Sequence, residues 1–352
     1  MSIGSAVPGP GGEGPGQLMA SEMAEQPGRL AALLSRRDEL GKEVRSLVPP
    51  ELAGTVLVAR GSSDHAAKCG AYLLEMATGR PVALASPSVL TLYRAAMDYS
   101  GYLVIAVSQS GQTPEIVKVV QLARASGART IAITNDALSP LAGAADLVIG
   151  LEAGPELAVP ATKTVTAQVA AFAIIAQALG EVGLDDRAAG ELPGQVAEIL
   201  GDPGPVIELA RWLQNADRLV TVARGILYGA AGEAALKVEE TTSLLTAAFS
   251  AADLRHGPIA IASSGPPVLA FAHPGPASAD VVEVVGELRA RGASVRLAGP
   301  VAASDLSWAA DAPETLAPVL AVVRGQQLAL SLARLLGRDP DSPPGLMKVT
   351  VT

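Results

Sequence analysis

The residues best suited to chemistry are hydroxyls in one short turn and charges on one helical face. Ser108-Gln-Ser-Gly-Gln-Thr113 follows the apolar run 104–107 and precedes Pro114-Glu115. The latter pair opens an amphipathic helix with Ile116, Val117, Val120 and Leu122 on its apolar side. A strand, a hydroxyl-rich turn and a helix start suit a phosphate monoester. The first helical N–H groups are unpaired, the helix end carries partial positive charge, and serine and threonine donate further hydrogen bonds. No Gly-x-x-x-x-Gly-Lys-Ser/Thr string occurs and the turn has no lysine, so a sugar phosphate fits better than a triphosphate. The plain alternative is a capped strand–helix turn, since serine and threonine are also good N-caps. Farther on, Glu233, Lys237 and Glu240 follow at spacings of four and three, which puts them on one helical face. That stripe is either a solvated ion-pair surface or, if buried, a set in which a carboxylate is pushed toward neutrality and becomes a useful base.

Those groups need a scaffold. Residues 17–47 have helical spacing, broken at Pro27 and closed by Pro49-Pro50. Strands are expected at 55–59, 81–85, 103–107, 130–134 and 147–150, with a helix over 65–76 after Arg60-Gly-Ser-Ser-Asp64. Alternating strands and helices imply a parallel sheet covered on both faces. The pattern then recurs. Residues 219–223 lead into Arg224-Gly225 as residues 57–59 lead into Arg60-Gly61, at an offset of about 164. Val282-Glu-Val-Val-Gly-Glu-Leu-Arg-Ala-Arg-Gly-Ala293 repeats Val117-Lys-Val-Val-Gln-Leu-Ala-Arg-Ala-Ser-Gly-Ala128 at about 165. The expected fold class is therefore α/β, a tandem of two doubly wound, flavodoxin-like parallel-sheet domains. The division predicted is a disordered tail (1–17), a helical segment (18–50), a phosphate-binding domain (51–185), a second domain (206–338) and a closing tail (339–352). Where the first half has its hydroxyl turn the second has His273-Pro-Gly-Pro-Ala-Ser278, whose prolines lack N–H donors. Phosphate binding is expected in the first half alone.

Composition narrows the classes. With 49% hydrophobic and 17% charged residues over 352, most of the chain should fold. A formal charge of −9 without basic runs argues against nucleic acid and anionic membrane as partners. The apolar window 165–179 is interrupted by Gln168 and Gln177, too short to span a bilayer, and reads as a buried helix. One cysteine, Cys69, excludes an intrachain disulfide and fits a reducing cytoplasm; it falls in a helix and reads as packing. No motif implies a metal or an organic cofactor.

Six motifs together resemble one family, the sugar isomerase (SIS) domain proteins, and within it the isomerase half of glutamine–fructose-6-phosphate amidotransferase and related aminosugar-phosphate deaminases. They are Arg60-Gly-Ser-Ser63, Ser108–Thr113, Ala153-Gly-Pro-Glu-Leu-Ala-Val-Pro-Ala-Thr-Lys-Thr164, Arg224-Gly225 with Glu233, Lys237 and Glu240, Leu254-Arg-His-Gly-Pro258, and Leu346-Met-Lys-Val-Thr350. The resemblance implies phosphate binding by Ser63, Ser108, Gln109, Ser110 and Thr113. It implies a sugar-closing loop containing Val159, Ala161 and Thr162, with Ala161 standing where the family has serine. It implies that Glu240 moves a proton between C1 and C2, with Glu233 and Lys237 beside it. His256, contributed by the other subunit of a homodimer, would assist ring opening. Lys348, on a tail set by the stiff turn at 339–343, would meet the sugar carbonyl as a desolvated amine near other cations.

The amidotransferase carries a glutaminase domain with a cysteine directly after its first methionine, whereas this chain has Ser2. Glutamine-dependent synthesis by this chain alone is therefore not expected. Three readings follow: an aminosugar-phosphate deaminase and isomerase, a fructosamine-phosphate deglycase or ketose–aldose isomerase, and a non-catalytic sugar-phosphate sensor. The sensor is disfavoured because such a protein could discard Glu240 and Lys348.

Overall fold

The structure is a computed structural model that describes residues 14–263 and 265–348. Residues 1–13 of the expected tail and 349–352 of the closing tail lie outside the described residues. Three helices come first, α1 (Gln17–Ala24), α2 (Gln26–Ser35) and α3 (Arg37–Leu47). The first sheet holds β1 (Gly54–Val58), β2 (Val82–Leu84), β3 (Tyr102–Val107), β4 (Arg129–Thr134) and β5 (Leu147–Gly150). Between and after these strands run α4 (Ser62–Thr78), α5 (Pro87–Thr91), α6 (Pro114–Ala125), α7 (Pro140–Ala144) and α8 (Lys163–Leu179). Helices α9 (Asp186–Gly201) and α10 (Gly204–Leu213) connect to the second half. That half contains β6 (Arg218–Ala223), α11 (Leu227–Thr242), β7 (Leu245–Ser250), α12 (Ala251–Arg255), β8 (Val268–Phe271), α13 (Ser278–Ala290), β9 (Val295–Ala298) and α14 (Ala317–Leu335).

Both sheets are parallel, in the orders β2-β1-β3-β4-β5 and β7-β6-β8-β9, so each reverses direction at its first strand in the flavodoxin manner. The halves are not identical. Where a fifth strand would complete the second sheet there is a lone bridge between Ala298 and Leu306. Parallel strands buried on both faces need near-continuous apolar sequence; β3 has it, while β4 buries Thr130 and Thr134 around Ile131-Ala-Ile133, and each strand has five of six residues buried.

Several local expectations shift. The expected tail ends early, since Gln17 is helical and the Gly16 amide donates to Asp339 Oδ1 at 3.1 Å. The helical segment is interrupted at Glu25 and at Arg36, and Pro27 falls in the first turn of α2, which proline tolerates. Proline cannot donate to the Met23 carbonyl, and Gln26 Nε2 does so instead at 3.2 Å. On α6 the buried stripe is Ile116, Val119, Val120 and Ala123, with Val117 and Leu122 at its flanks, because the helix settles slightly rotated on the sheet. Residues 165–176 are indeed buried within α8.

The halves meet through helices. α4 packs on α8, α11 on α14, and α4 crosses α11. A Cβ at Gly229 would sit 2.5 Å from Cys69 Sγ and overlap the His65 carbonyl oxygen, so glycine sets how closely α4 and α11 approach. Cys69 is filling space at that crossing, and burial pushes its thiol up to about 12, far from a nucleophile.

Candidate functional site

The C-terminal ends of β1 and β3 open on a cavity of about 540 Å³. It lies at the first sheet's topological switch point, where open α/β sheets bind ligands. The hydroxyl turn forms one wall. Ser108 Oγ accepts from the Gly111 amide at 3.1 Å and Ser110 Oγ from the Gln112 amide at 3.3 Å. Ser63 Oγ, on the first turn of α4, accepts from Gln168 Nε2 at 3.0 Å. Each of these oxygens accepts one bond and keeps its O–H proton free to donate, which suits a ligand that only accepts, such as phosphate. Gly111 has φ +61, and a Cβ there would overlap Ser139 Oγ. Thr113 stands at the N-cap of α6 but its side chain makes no capping bond, and α4 begins after Gly61 without a side-chain cap. The plain capped-turn alternative therefore does not describe these threonine and glycine positions. Two uncapped helix starts flank the cavity instead.

A line of buried charges forms the second wall. Glu233 and Lys237 are each 1% exposed. Lys237 Nζ lies 3.5 Å from Glu233 Oε1 and also donates to Glu240 Oε2. At the far end Glu233 Oε2 is 3.0 Å from His65 Nδ1 on α4, so the line crosses from one half to the other. Only Glu240 of this line reaches the cavity. Burial raises its carboxyl above the ordinary range and the neighbouring Glu233 charge adds to this, against the pull of Lys237. Burial also works against charge on Glu233 and Lys237, but their mutual attraction wins. Glu233 is held below its ordinary value and Lys237 above.

The third wall is the loop 153–162 with the chain's last described residues. Glu156 is buried and accepts from the amides of Thr162 (2.9 Å) and Thr164 (3.1 Å), from Thr164 Oγ1 (2.7 Å) and from Lys348 Nζ (2.8 Å). Burial pushes its carboxyl up, but Lys348 and these donors outweigh that and leave it below the ordinary range. The loop is pinned from below, with Glu22 of α1 accepting from the amides of Leu157 and Ala158. The turn 339–341 pins the tail. Asp341 accepts through its carboxylate from the amides of Leu18 (2.9 Å) and Met19 (2.8 Å), and through its carbonyl from the Val159 amide (3.0 Å).

Of the residues singled out from sequence, Ser63, Ser108, Gln109, Ser110, Thr113, Val159, Ala161, Glu240 and Lys348 line this one cavity. Glu233 and Lys237 lie behind Glu240 and do not line it. Thr162 is fully buried with its hydroxyl turned to Glu156, so its side chain does not face the cavity. His256 is exposed at the end of α12 and is absent from this chain's cavity wall. Lys348 meets a carboxylate here rather than other cations. Sequence reasoning assigned no role to Glu156, His65, Arg60 or Glu115. Glu156 was visible as a lone acid inside the loop motif, and Arg60 as the first residue of another. A larger concavity of about 730 Å³ beside Arg37, Arg45 and Arg187 combines no hydroxyl turn with an acid–base pair. Among the described residues no three His, Cys, Asp or Glu side chains form a group that could hold a metal ion, and no helix is long and apolar enough to cross a membrane.

The family model of the SIS domain matches residues 55–178 and 212–311. Glutamine–fructose-6-phosphate aminotransferase of Methanothermobacter thermautotrophicus is 32% identical over 343 residues, covering 95% of this chain and 57% of that protein. The Streptomyces coelicolor enzyme of the same name is 33% identical over 365 residues, covering 95% and 59%. The chain thus spans less than two thirds of the length of these curated relatives. Among solved structures, a protein of Silicibacter pomeroyi DSS-3 provisionally described as a phosphosugar isomerase superposes with TM-score 0.82 at 34% identity, covering 92% of this chain and 99% of that one. Glucosamine-6-phosphate deaminase of Thermotoga maritima has the same fold, with TM-score 0.71 at 21% identity, covering 95% and 100%. With two parallel sheets, a repeat in the sequence and a family match in each half, the chain belongs to the SIS domain family.

Proposed function

We propose that the protein deaminates and isomerises an aminosugar phosphate, glucosamine 6-phosphate plus water giving fructose 6-phosphate and ammonia. The observation that carries this is that Glu240 and Lys348 enter the same cavity as the hydroxyl turn. Phosphate would sit against Ser63, Ser108, Gln109, Ser110 and Thr113, with C1 and C2 toward Glu240. In the open-chain aldehyde the Glu240 carboxylate takes the C2 proton, electrons move to the C1 oxygen, and that oxygen gains a proton to give a C1–C2 enolamine. The carboxylic acid returns a proton to C1, leaving a ketimine at C2. Water adds at C2 and ammonia departs. A base with a raised pKa suits both halves of this shuttle. In this reading Lys348, one of the two cations on the cavity wall, faces the carbonyl end, and Glu156 fixes the position of its Nζ.

Ring opening is assigned to His256 from the second subunit of a homodimer, in the cytoplasm. Glu233 and Lys237 act on Glu240 and do not themselves touch the sugar. Ala161 presents a methyl group on the sugar side, which favours as a second reading a bulkier amine adduct such as a fructosamine phosphate.

The test is ammonia release with fructose 6-phosphate followed in a coupled assay, supplying glucosamine 6-phosphate, galactosamine 6-phosphate and a fructosamine phosphate in parallel. Stoichiometric ammonia and fructose 6-phosphate from the first substrate is the expected result. Turnover of the third substrate alone selects the second reading, and turnover of none refutes both.

A further inference from the structure

The cavity wall carries three carboxylates, Glu115, Glu156 and Glu240, against two cations, Arg60 and Lys348. That is a poor field for a phosphate dianion unless one cation is free to meet it. Lys348 is committed to Glu156 at the sugar end. Arg60 lies at the phosphate end, between β1 and the first turn of α4, with its side chain 49% exposed and Nη2 2.6 Å from Glu115 Oε2. Glu115 is on the first turn of α6, where the helix start favours an anion, and its other oxygen accepts from Thr91 Oγ1 at 3.1 Å. The carboxylate thus occupies the electrostatic position a phosphate would want: one helix start away from the hydroxyl turn, facing a guanidinium.

The internal repeat provides an independent comparison. Arg224 and Asp280 stand at the positions of Arg60 and Glu115, and they too are paired, Nε to Oδ2 at 3.3 Å. There the pair is locked. Arg224 also donates to Ser250 Oγ at 3.0 Å, and Asp280 is shared with Arg255, which further binds Glu283 and Glu287. The turn beside it carries Pro274 and Pro276, which cannot donate. In the second half, then, a carboxylate holds the equivalent position through several additional side-chain contacts. In the first half Arg60 has no comparable second side-chain partner among its hydrogen bonds.

We infer that Arg60 is the cation that binds the substrate's phosphate, and that Glu115 is a placeholder which holds Arg60 at the cavity mouth until phosphate displaces it. This rests on the sugar-phosphate reading of the cavity. The guanidinium turns from one carboxylate to two phosphate oxygens, a bidentate exchange that lysine cannot reproduce. The two partners therefore have opposite effects: Arg60 strengthens phosphate binding and Glu115 opposes it.

Calorimetric titration with inorganic phosphate, glucosamine 6-phosphate and glucosamine tests this on the wild type, Arg60→Ala, Arg60→Lys and Glu115→Gln. Expected are a loss of tenfold or more in affinity for both phosphorylated ligands in Arg60→Ala, partial recovery in Arg60→Lys, and a several-fold gain in Glu115→Gln. Glucosamine should bind weakly to all four alike. In turnover, Arg60→Ala should raise KM and leave kcat near its wild-type value. Wild-type affinity retained in Arg60→Ala overturns the inference while the sugar-phosphate reading stands. Equal weakening by Arg60→Ala and Glu115→Gln makes the pair a structural bridge and overturns the placeholder. Failure of the wild type to bind either phosphorylated ligand removes the reading and the inference together.

Discussion

Lys237→Met is the most direct perturbation of the buried charge line. Across the 3.5 Å to Glu233, two unit charges at an effective dielectric of ~20 attract by about 5 kcal/mol, and the contact with Glu240 adds to this. Desolvation of the buried groups cancels part of that gain. The variant should therefore lose about 3–5 kcal/mol at pH 7, the range found when one partner of a buried ion pair is removed. The loss must shrink in acid. Without its cation Glu233 is a buried carboxylate with a raised pKa, so it takes up a proton as pH falls from 7 toward 5 and the stranded charge disappears. In the wild type the sign is opposite. Glu233 is depressed below its ordinary 4.5, so its contribution is complete above that value and lost only as pH falls through the lower folded value. Lys237 is raised above 10.5, so its contribution is complete below that value and lost as pH rises through the higher one. Thermal unfolding of both proteins between pH 5 and 8 measures the difference. At roughly 2 °C per kcal/mol for a long chain, a gap of about 6–10 °C at pH 7 should narrow toward pH 5. Adding Glu233→Gln should recover most of it. A gap independent of pH, or a double variant no more stable than the single one, refutes charge balance as what holds this wall together.

Because burial raises Glu240, the acid limb of kcat/KM should lie above pH 4.5, and Glu240→Gln should abolish turnover while calorimetry still detects sugar-phosphate binding. Gly229→Ala and Gly190→Ala make the same chemical change with opposite outcomes in thermal unfolding. The first presses a methyl group onto Cys69 and the His65 backbone and should cost about 1–3 kcal/mol, whereas the second, on an open face of α9, should gain up to ~1 kcal/mol. Glu156→Gln gives up a charge-assisted bond to Lys348 worth about 1.5–3 kcal/mol, so kcat/KM should fall roughly 10- to 100-fold while affinity for inorganic phosphate, measured by titration, is unchanged.

The strands β1, β3 and β4 and the turn at 108–113 were legible because they are local, short runs rich in apolar and β-branched residues and a cluster of hydroxyls within one loop. The repeat was legible for a related reason, since equivalent elements keep equivalent patterns even after the second copy exchanged its hydroxyls for prolines. What stayed hidden depends on contacts far apart in the chain. His65 meets Glu233 across 168 residues, Gln168 meets Ser63 across 105, and Lys348 meets Glu156 across 192. No periodicity reports such pairs. The spacing of Glu233, Lys237 and Glu240 showed a shared face but not its burial, which is decided by α4 and α14 packing over α11. Thr162 likewise turns inward because Glu156 offers its hydroxyl an acceptor.

The joint between residues 16–19 and 339–341 has a mechanical consequence. Tension applied between those two segments is carried first by the amides held on Asp339 and Asp341 and by the bonds from Arg334 to the Pro15 and Gly16 carbonyls, not by either sheet. Such short hydrogen bonds at a helix end yield before a parallel ladder does. Stretched from these points, the molecule should therefore give a small early rupture, and Lys348 should swing away from the cavity while all nine strands remain paired. If Lys348 acts as proposed, activity would then vanish at a force that leaves the fold intact, so the joint between residues 16–19 and 339–341 is a fuse.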